Sequence, residues 1–370
     1  MAGPTEIPSQ LGRTAVVTGA TGGLGYETAL ALAKAGAEVI LTGRDDRKGQ
    51  TALEKISREV ISAKISYEHL DLANLASVAD FAQRMLVRPS LDLLINNAGV
   101  MALPRRQTTA DGFEMQLGTN HLGHFALTAQ LLPLLRRATK PRVVSLSSLP
   151  HRTGRIDFDD LQGARMYSPW KAYGQSKLAC LMFALELQRR SDAAGWNVIS
   201  NAAHPGFSRT NLFAGGPGGL VSLATDFAAP FFGQSAADGA RPILFVATNS
   251  NAKPGAYYGP GGIGELQGHR RPRWSCHRRE MPRPPRGFGT FPRNLRARRS
   301  NSGPAHATAR VCLEEEKCSG HSNRTGQRRP QCPNRPQRVR YSFQQARLRR
   351  SRALLVSALH PAQRTYSARP

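Results

Sequence analysis

Tyr173 and Lys177 stand four residues apart in the run Ala172-Tyr173-Gly174-Gln175-Ser176-Lys177-Leu178-Ala179. On a helix that spacing puts both side chains on one face. A free phenol titrates near pH ~10 and is a poor proton donor or acceptor at neutral pH. A neighbouring ammonium stabilises the phenolate and brings the group into range. Such a pair can give a proton to a carbonyl oxygen as hydride reaches the carbon, or take it back in the reverse direction. A second chemical signal lies near the N-terminus, in Thr18-Gly19-Ala20-Thr21-Gly22-Gly23-Leu24-Gly25. Glycines there let the backbone turn tightly and approach a pyrophosphate, and a following helix would offer unpaired N–H groups to it. A third is Gly43-Arg44, with Lys48 one turn further on. A dinucleotide lacking the 2′-phosphate is usually held by a carboxylate at this strand end. A cation here favours NADP(H) over NAD(H). Asp45 and Asp46 keep NAD(H) open, since either could turn toward the ribose.

These groups work only if the chain places them together. Apolar strand-like runs are expected at 14–18, 38–42, 65–70, 91–96, 142–146, 197–203 and 257–258. Helices are expected at 24–35, stopped by Gly36, and at 46–60, 75–86, 112–136 and 172–188. Strand–helix alternation with nearly continuous apolar strands predicts an α/β fold, a doubly wound parallel sheet covered on both faces. The glycine run then joins the first strand to the first helix, and Arg44 ends the second strand. The stretch 215–233 is broken by glycine yet carries Leu220, Val221, Leu223, Phe227, Phe231 and Phe232. It reads as a flap or short helical lid that covers an apolar ligand.

In this order the motifs resemble the short-chain dehydrogenase/reductase family, in its retinol-dehydrogenase-like and bacterial branch with a long loop before the tyrosine. The matching residues are Thr18, Gly19, Gly23 and Gly25; Asp71 and Leu72; Asn96, Asn97, Ala98 and Gly99; Asn120; Ser147 and Ser148; Tyr173 and Lys177; Pro205 and Gly206. They cover residues 11–268. The resemblance implies a single Rossmann-type domain and interconversion of an alcohol and a carbonyl. It implies Tyr173 as general acid and base, and Ser148 as the donor to the substrate oxygen. It implies Lys177 on the nicotinamide ribose and Asn120 as holder of a water that links Lys177 to solvent. Asp71 would contact the adenine or serve as a turn residue. Asn97 would line the cofactor, and Thr210 would bond the carboxamide or cap a helix. Leu24, Leu72, Ala98, Gly99, Pro205 and Gly206 complete the implied cofactor site. A lipophilic alcohol, aldehyde or ketone is the expected substrate. The rival class is a protein that binds the dinucleotide without turnover.

Composition sets outer limits. The chain has 370 residues and a formal charge of +26, but the charge is unevenly spread, +5 over residues 1–268 and +21 over 269–370. The tail holds 24 Arg, one Lys, no Asp and clustered Pro, with no apolar periodicity that could offset chain entropy. It is expected to be disordered and reads as GC-rich DNA translated out of frame. The competing reading is a basic arm with non-specific attraction to nucleic acid. The further amphipathic C-terminal helix of the family has no counterpart there. Cys180 is the only cysteine before the tail and is expected to be a buried thiol. His121 and His124 beside Asn120 read as packing or surface residues. Asp157, Asp159 and Asp160 read as the caps of a turn-rich loop rather than a metal site. No metal site is expected. The first ten residues lack a leader pattern and no apolar run reaches ~18 residues, so a cytoplasmic protein is expected, monomeric or a homo-oligomer.

Overall fold

The computed structural model describes residues 7–206 and 235–261, and the backbone of 275–276. Seven parallel strands form one sheet: β1 (Thr14–Thr18), β2 (Glu38–Gly43), β3 (Ile65–His69), β4 (Leu93–Asn96), β5 (Arg142–Leu146), β6 (Ile199–Ala203) and β7 (Tyr257–Gly259). Their order is β3-β2-β1-β4-β5-β6-β7. A two-residue strand, β8 (Ser275–Cys276), adds antiparallel to β7. It falls inside the segment expected to be an unstructured tail, and it pairs an edge that would otherwise present bare backbone groups. The segment 215–233, Thr210, and the rest of the tail lie outside the described residues.

Side chains alternate between two buried faces. Val16, Ile40, Leu94 and Val143 point to one, with Phe81 of α3 (Leu75–Met85) and Leu127 and Leu131 further along the chain. Ala15, Val17, Val39, Leu41, Leu93, Ile95 and Val144 point to the other, against Leu32 of α1 (Gly23–Lys34) and Ile56 of α2 (Asp46–Glu59). Because both faces are covered, the strands read as continuous apolar runs rather than as alternation. The doubly wound parallel sheet is therefore as expected.

Two helices differ from expectation in ways that bear on the site. The helix expected over 112–136 is three pieces. A short helix, α4 (Met115–Leu117), is capped by the Glu114 carboxylate, which accepts from the Gln116 and Leu117 amides. Gly112, at φ 84°, lies in the turn before it. A π-turn at Gly118–Leu122 follows, with Gly123 N–H bonded to the Gly118 carbonyl, and α5 (Gly123–Leu135) completes the run. The extra residue in a π-turn has no signature in apolar spacing, and such turns concentrate at functional sites. The helix expected over 172–188 is longer. In this helix, α6 (Pro169–Ala194), Pro169 sits in the first turn, where its missing N–H costs nothing, and Gly195 ends it in the left-handed region at φ 62°. A further helix, α7 (Ala236–Thr248), packs on α1. No helix among the described residues is long and apolar enough to cross a membrane.

Candidate active site

The site lies where the strand order reverses. β1 is flanked by β2 and β4, and the connections from β1 and β4 leave toward opposite sides, so a crevice opens beyond their carboxyl ends. There the structure has a cavity of about 490 Å³. Its described lining includes Gly19, Gly23, Leu24, Gly25, Arg44, Lys48, Asp71, Leu72, Asn97, Ala98, Gly99, Ser148, Tyr173, Lys177 and Pro205. Of the other expected residues, Thr18 and Asn120 lie behind the wall, Gly206 follows Pro205 without lining the cavity, and Thr210 is outside the described residues. Thr21, Val100, Thr119 and Leu146 also line it and carried no sequence signal, because backbone position alone brings them there.

The glycine loop is shaped by close approach. Gly19 has φ 64°, and a Cβ on it would lie 2.9 Å from Ala98 Cα. A Cβ on Gly25 would meet the Gly19 carbonyl and stand 2.6 Å from Asn97 Nδ2. The first turn of α1 opens at Gly22 with no side-chain cap and no acidic residue. Its N–H groups and the positive end of the helix dipole are thus left to the cavity, a cradle that fits a pyrophosphate.

At the other end, Arg44 is exposed and has no ion-pair or hydrogen-bond partner among the described residues. The neighbouring carboxylates are engaged. Asp45 caps α2 by accepting from Lys48 N–H at 3.0 Å and stands 3.7 Å from Lys48 Nζ. Both contacts hold it below the usual carboxylate range. Asp46 accepts from Tyr67 Oη at 2.9 Å and meets His69 Nδ1 at 2.8 Å. Asp71 lines the cavity and also forms a turn, accepting from Ala73 N–H at 2.9 Å.

The reactive end is built by β5 and α6. Tyr173 and Lys177 are 3% and 5% exposed and share one helix face, with Lys177 Nζ 5.8 Å from the Tyr173 ring centre. Lys177 Nζ donates to the Leu146 carbonyl at 3.2 Å, which ties the ammonium to the end of β5. The adjacent serines have different surroundings. Ser147 is buried and its hydroxyl donates to the Lys177 carbonyl at 2.9 Å. Ser148 lines the cavity, and neither its hydroxyl nor that of Tyr173 has a hydrogen-bond partner among the described residues. Two free hydroxyls beside one ammonium can bind a carbonyl oxygen and supply a proton to it. Ser148 is set by its carbonyl, which accepts from His151 N–H at 3.0 Å.

Asn120, in the π-turn, is 1% exposed. Its Oδ1 accepts from Val100 N–H at 2.8 Å, and its Nδ2 donates to the Val100 carbonyl and to Ser176 Oγ, each at 2.9 Å. Ser176 Oγ donates in turn to the Tyr173 carbonyl at 2.8 Å. The Asn120 carbonyl accepts from Cys180 Sγ at 3.1 Å and from His124 Nδ1 at 2.9 Å. Cys180 is buried, and burial raises its thiol above the usual range. His124 is buried and His121 half-buried, and burial pushes His121 down to about 4 and His124 to about 3. In the loop before α6, Asp157 accepts from the Asp159 and Asp160 amides, and Asp160 from those of Ala164, Arg165 and Met166. No group of three or more potential metal ligands occurs among the described residues.

Residues 13–216 match the family described as short chain dehydrogenase. Mouse polyprenol dehydrogenase is 45% identical over 250 residues, covering 66% of this chain and 74% of that protein. Human retinol dehydrogenase 13 is 48% identical over 203 residues, covering 54% of this chain and 60% of the relative. Among solved structures, an uncharacterized protein from Mycobacterium paratuberculosis is 43% identical with a TM-score of 0.60, over 75% of this chain and 89% of its own. A short chain dehydrogenase from Shigella flexneri, complexed with NADP, is 27% identical with a TM-score of 0.55, over 68% and 98%.

The two serines should separate by stability. Ser147→Ala removes a buried hydrogen bond and is expected to lower unfolding free energy by about 1 kcal/mol. Ser148→Ala removes none and should leave the denaturant midpoint within error of the parent. Equal midpoints for the two variants would contradict this assignment.

Proposed function

The chain belongs to the short-chain dehydrogenase family, oxidoreductases acting on CH–OH groups, and from that premise we propose that it interconverts a lipophilic alcohol and its carbonyl with NADP(H). The observation that carries the reading is the pair of unpartnered hydroxyls, Ser148 and Tyr173, on the same cavity as the uncapped start of α1. The dinucleotide, when bound, supplies or accepts the hydride. Ser148 binds the substrate oxygen and orients it. Tyr173 gives that oxygen its proton in reduction and removes it in oxidation. The Lys177 ammonium stabilises negative charge on the Tyr173 oxygen and reaches the nicotinamide ribose. Asn120 holds Val100 and Ser176 in place, and a water on Asn120 would connect Lys177 to solvent. Gly19, Gly23, Leu24 and Gly25 hold the pyrophosphate. Asn97, Ala98, Gly99, Leu72, Pro205 and Gly206 would border the cofactor, Asp71 would contact the adenine, and Thr210, outside the described residues, would bond the carboxamide.

NADP(H) is preferred over NAD(H) in this reading because Arg44 is unpaired at the end of β2, with Lys48 beside it. Asp46 is committed to Tyr67 and His69, while Asp45, which also lines the cavity, caps α2 and stands 3.7 Å from Lys48 Nζ. The NADP complex of the Shigella flexneri relative supports the same choice. For the substrate, the names of the mouse and human relatives refer to polyprenol and retinol, both long apolar alcohols. This chain has apolar surface in the segment between Ser148 and Tyr173. Phe158, Met166 and Trp170 there are 70%, 78% and 46% exposed. Trp170 stands edge-on to the Tyr173 ring, 6.1 Å between centres. It lies on α6 one turn before Tyr173, and Lys177 lies one turn after. The dinucleotide takes the Lys177 side, so the substrate meets the tyrosine from the Trp170 side. Covering such surface is favourable by about 25 cal/mol per Å².

Tyr173→Phe keeps the ring and removes the proton donor. NADPH should still bind while turnover falls at least about a hundredfold. Turnover near the parent rate would defeat the reading. Arg44→Ala removes a charge-assisted contact of about 1.5–3 kcal/mol, so the NADP(H):NAD(H) ratio of kcat/KM should drop roughly tenfold or more. An unchanged ratio would move the phosphate contact to Lys48. Across straight-chain aldehydes of increasing length, kcat/KM should climb with each added methylene. A flat series, or a preference for short charged aldehydes, would remove the lipophilic substrate and leave the chemistry in place.

A further inference from the structure

His124 makes no contact with the cavity, yet both of its ring nitrogens are engaged with the residues that shape it. Nδ1 lies 2.9 Å from the Asn120 carbonyl, and Nε2 lies 2.8 Å from Thr18 Oγ1. A carbonyl oxygen can only accept, so Nδ1 carries the ring proton. The ring is 4% exposed and uncharged near neutral pH, because burial pushes its pKa down to about 3. An uncharged ring has one N–H, which leaves Nε2 an acceptor. The Thr18 hydroxyl must therefore donate to Nε2.

That donation decides how the Thr18 oxygen is used. Four groups surround it: Nε2 of His124 at 2.8 Å, the Ile95 carbonyl at 3.2 Å, and the amides of Asn97 and Ala98 at 2.9 and 3.0 Å. A hydroxyl has one proton and two lone pairs. With its proton on His124, both lone pairs face the two amides. With its proton on Ile95, a lone pair would oppose the lone pair of Nε2, and only one would remain for the amides. The Asn97 N–H also reaches the Ile95 carbonyl at 3.0 Å, so the Ala98 amide, with no other acceptor among the described residues, is the one that depends on Thr18. The Asn97 side chain closes the arrangement by donating to the Thr18 carbonyl at 2.8 Å. Through its other nitrogen the same imidazole holds the Asn120 main chain, and Asn120 brackets Val100. The loop after β4 is thus gripped at Asn97–Ala98 and again at Val100, and His124 stands at the junction of the two grips.

We propose that His124 is a positioning residue of the dinucleotide site, whose Nδ1–H tautomer keeps Thr18 Oγ1 as the acceptor for the Asn97 and Ala98 amides and so sets the cavity wall against the glycine loop. The part concerning cofactor affinity rests on the dinucleotide reading above. The part concerning the wall does not.

The test uses the full chain without cofactor, then with NADPH. Amide hydrogen exchange at Ala98 should quicken roughly tenfold in His124→Phe and in Thr18→Val, the scale of one hydrogen bond, while amides in β5 keep their rates. Thr18→Ser, which restores the hydroxyl, should recover most of the protection. The double variant should exchange little faster than either single one, since both break the same link. The Kd for NADPH should rise several-fold in the two single variants and by no further factor in the double. If His124→Phe does not fold, Thr18→Val against Thr18→Ser reads the same hydroxyl. Parent-like exchange at Ala98 in the variants, or effects that simply add, would overturn the inference. A parent chain that fails to bind NADPH while the exchange pattern holds would overturn the dinucleotide reading and the affinity part, and leave the wall as described.

Discussion

β1 and β4 are hydrogen-bonded neighbours in a parallel sheet, but the chain leaves their carboxyl ends in opposite directions, to β2 on one side and β5 on the other. No connection can cover the gap between them. Among the described residues, the candidate site is arranged around that opening. The glycine loop follows β1, the Asn97–Val100 loop follows β4, and Ser147 and Ser148 follow β5. Strand ends set where these loops begin, and the close approaches at Gly19 and Gly25 set how tightly they meet. The two covered faces of the sheet supply the rigidity, since Val16, Ile40, Leu93, Leu94, Ile95 and Val143 are fully buried.

Around this opening, the polar groups divide into those that hold the wall and those that face the cavity. Asp46, Asn120, Thr18 and His124, away from the cavity, bond to other protein groups, and Ser147 and Asp45 do so while also lining it. Ser148, Tyr173, Arg44 and the first turn of α1 do not. This division is what preorganisation requires: the groups that must meet a ligand are held by neighbours whose own bonds are complete. It also explains why adjacent residues of one type, Ser147 and Ser148, have different work. Both line the cavity, but the Ser147 hydroxyl is turned to the Lys177 carbonyl of α6, while that of Ser148 has no partner among the described residues.

The π-turn at Gly118–Leu122 extends the same logic. It sits between α4 and α5 and carries Asn120. The carbonyl of Asn120 is met by His124 and Cys180, and its side chain reaches Val100 and Ser176. One irregular turn thereby ties the loop after β4 to the helix that bears Tyr173 and Lys177. A continuous α-helix would present these groups at other angles, which is the physical sense in which the irregularity belongs to the site.

Much of this was legible in the residues themselves. Apolar runs of strand length, broken by helical periodicity, determine the sheet and its two covered faces, because burial on both sides demands that pattern. The glycine loop, Arg44 after β2, and Tyr173 with Lys177 on one helix face are local relations, and local geometry carries them. The extents of α6 were carried by Pro169 and Gly195, though apolar spacing alone made it shorter. Other features depend on groups far apart in the chain and have no local signature. That the Ser147 hydroxyl is taken up depends on the Lys177 carbonyl, about a helix and a loop away. That Asp46 is bonded to Tyr67 and His69, while Asp45 caps α2 at the cavity, depends on groups brought together by folding. His124, read from sequence as a packing or surface residue, becomes a link between Thr18 and Asn120 only when α5 is laid beneath β1 and β4. The sequence determined which groups exist and which share an element. The tertiary structure decided which of their hydrogen-bonding atoms were left over, because a donor or acceptor is free only after every neighbour brought by folding has taken its share.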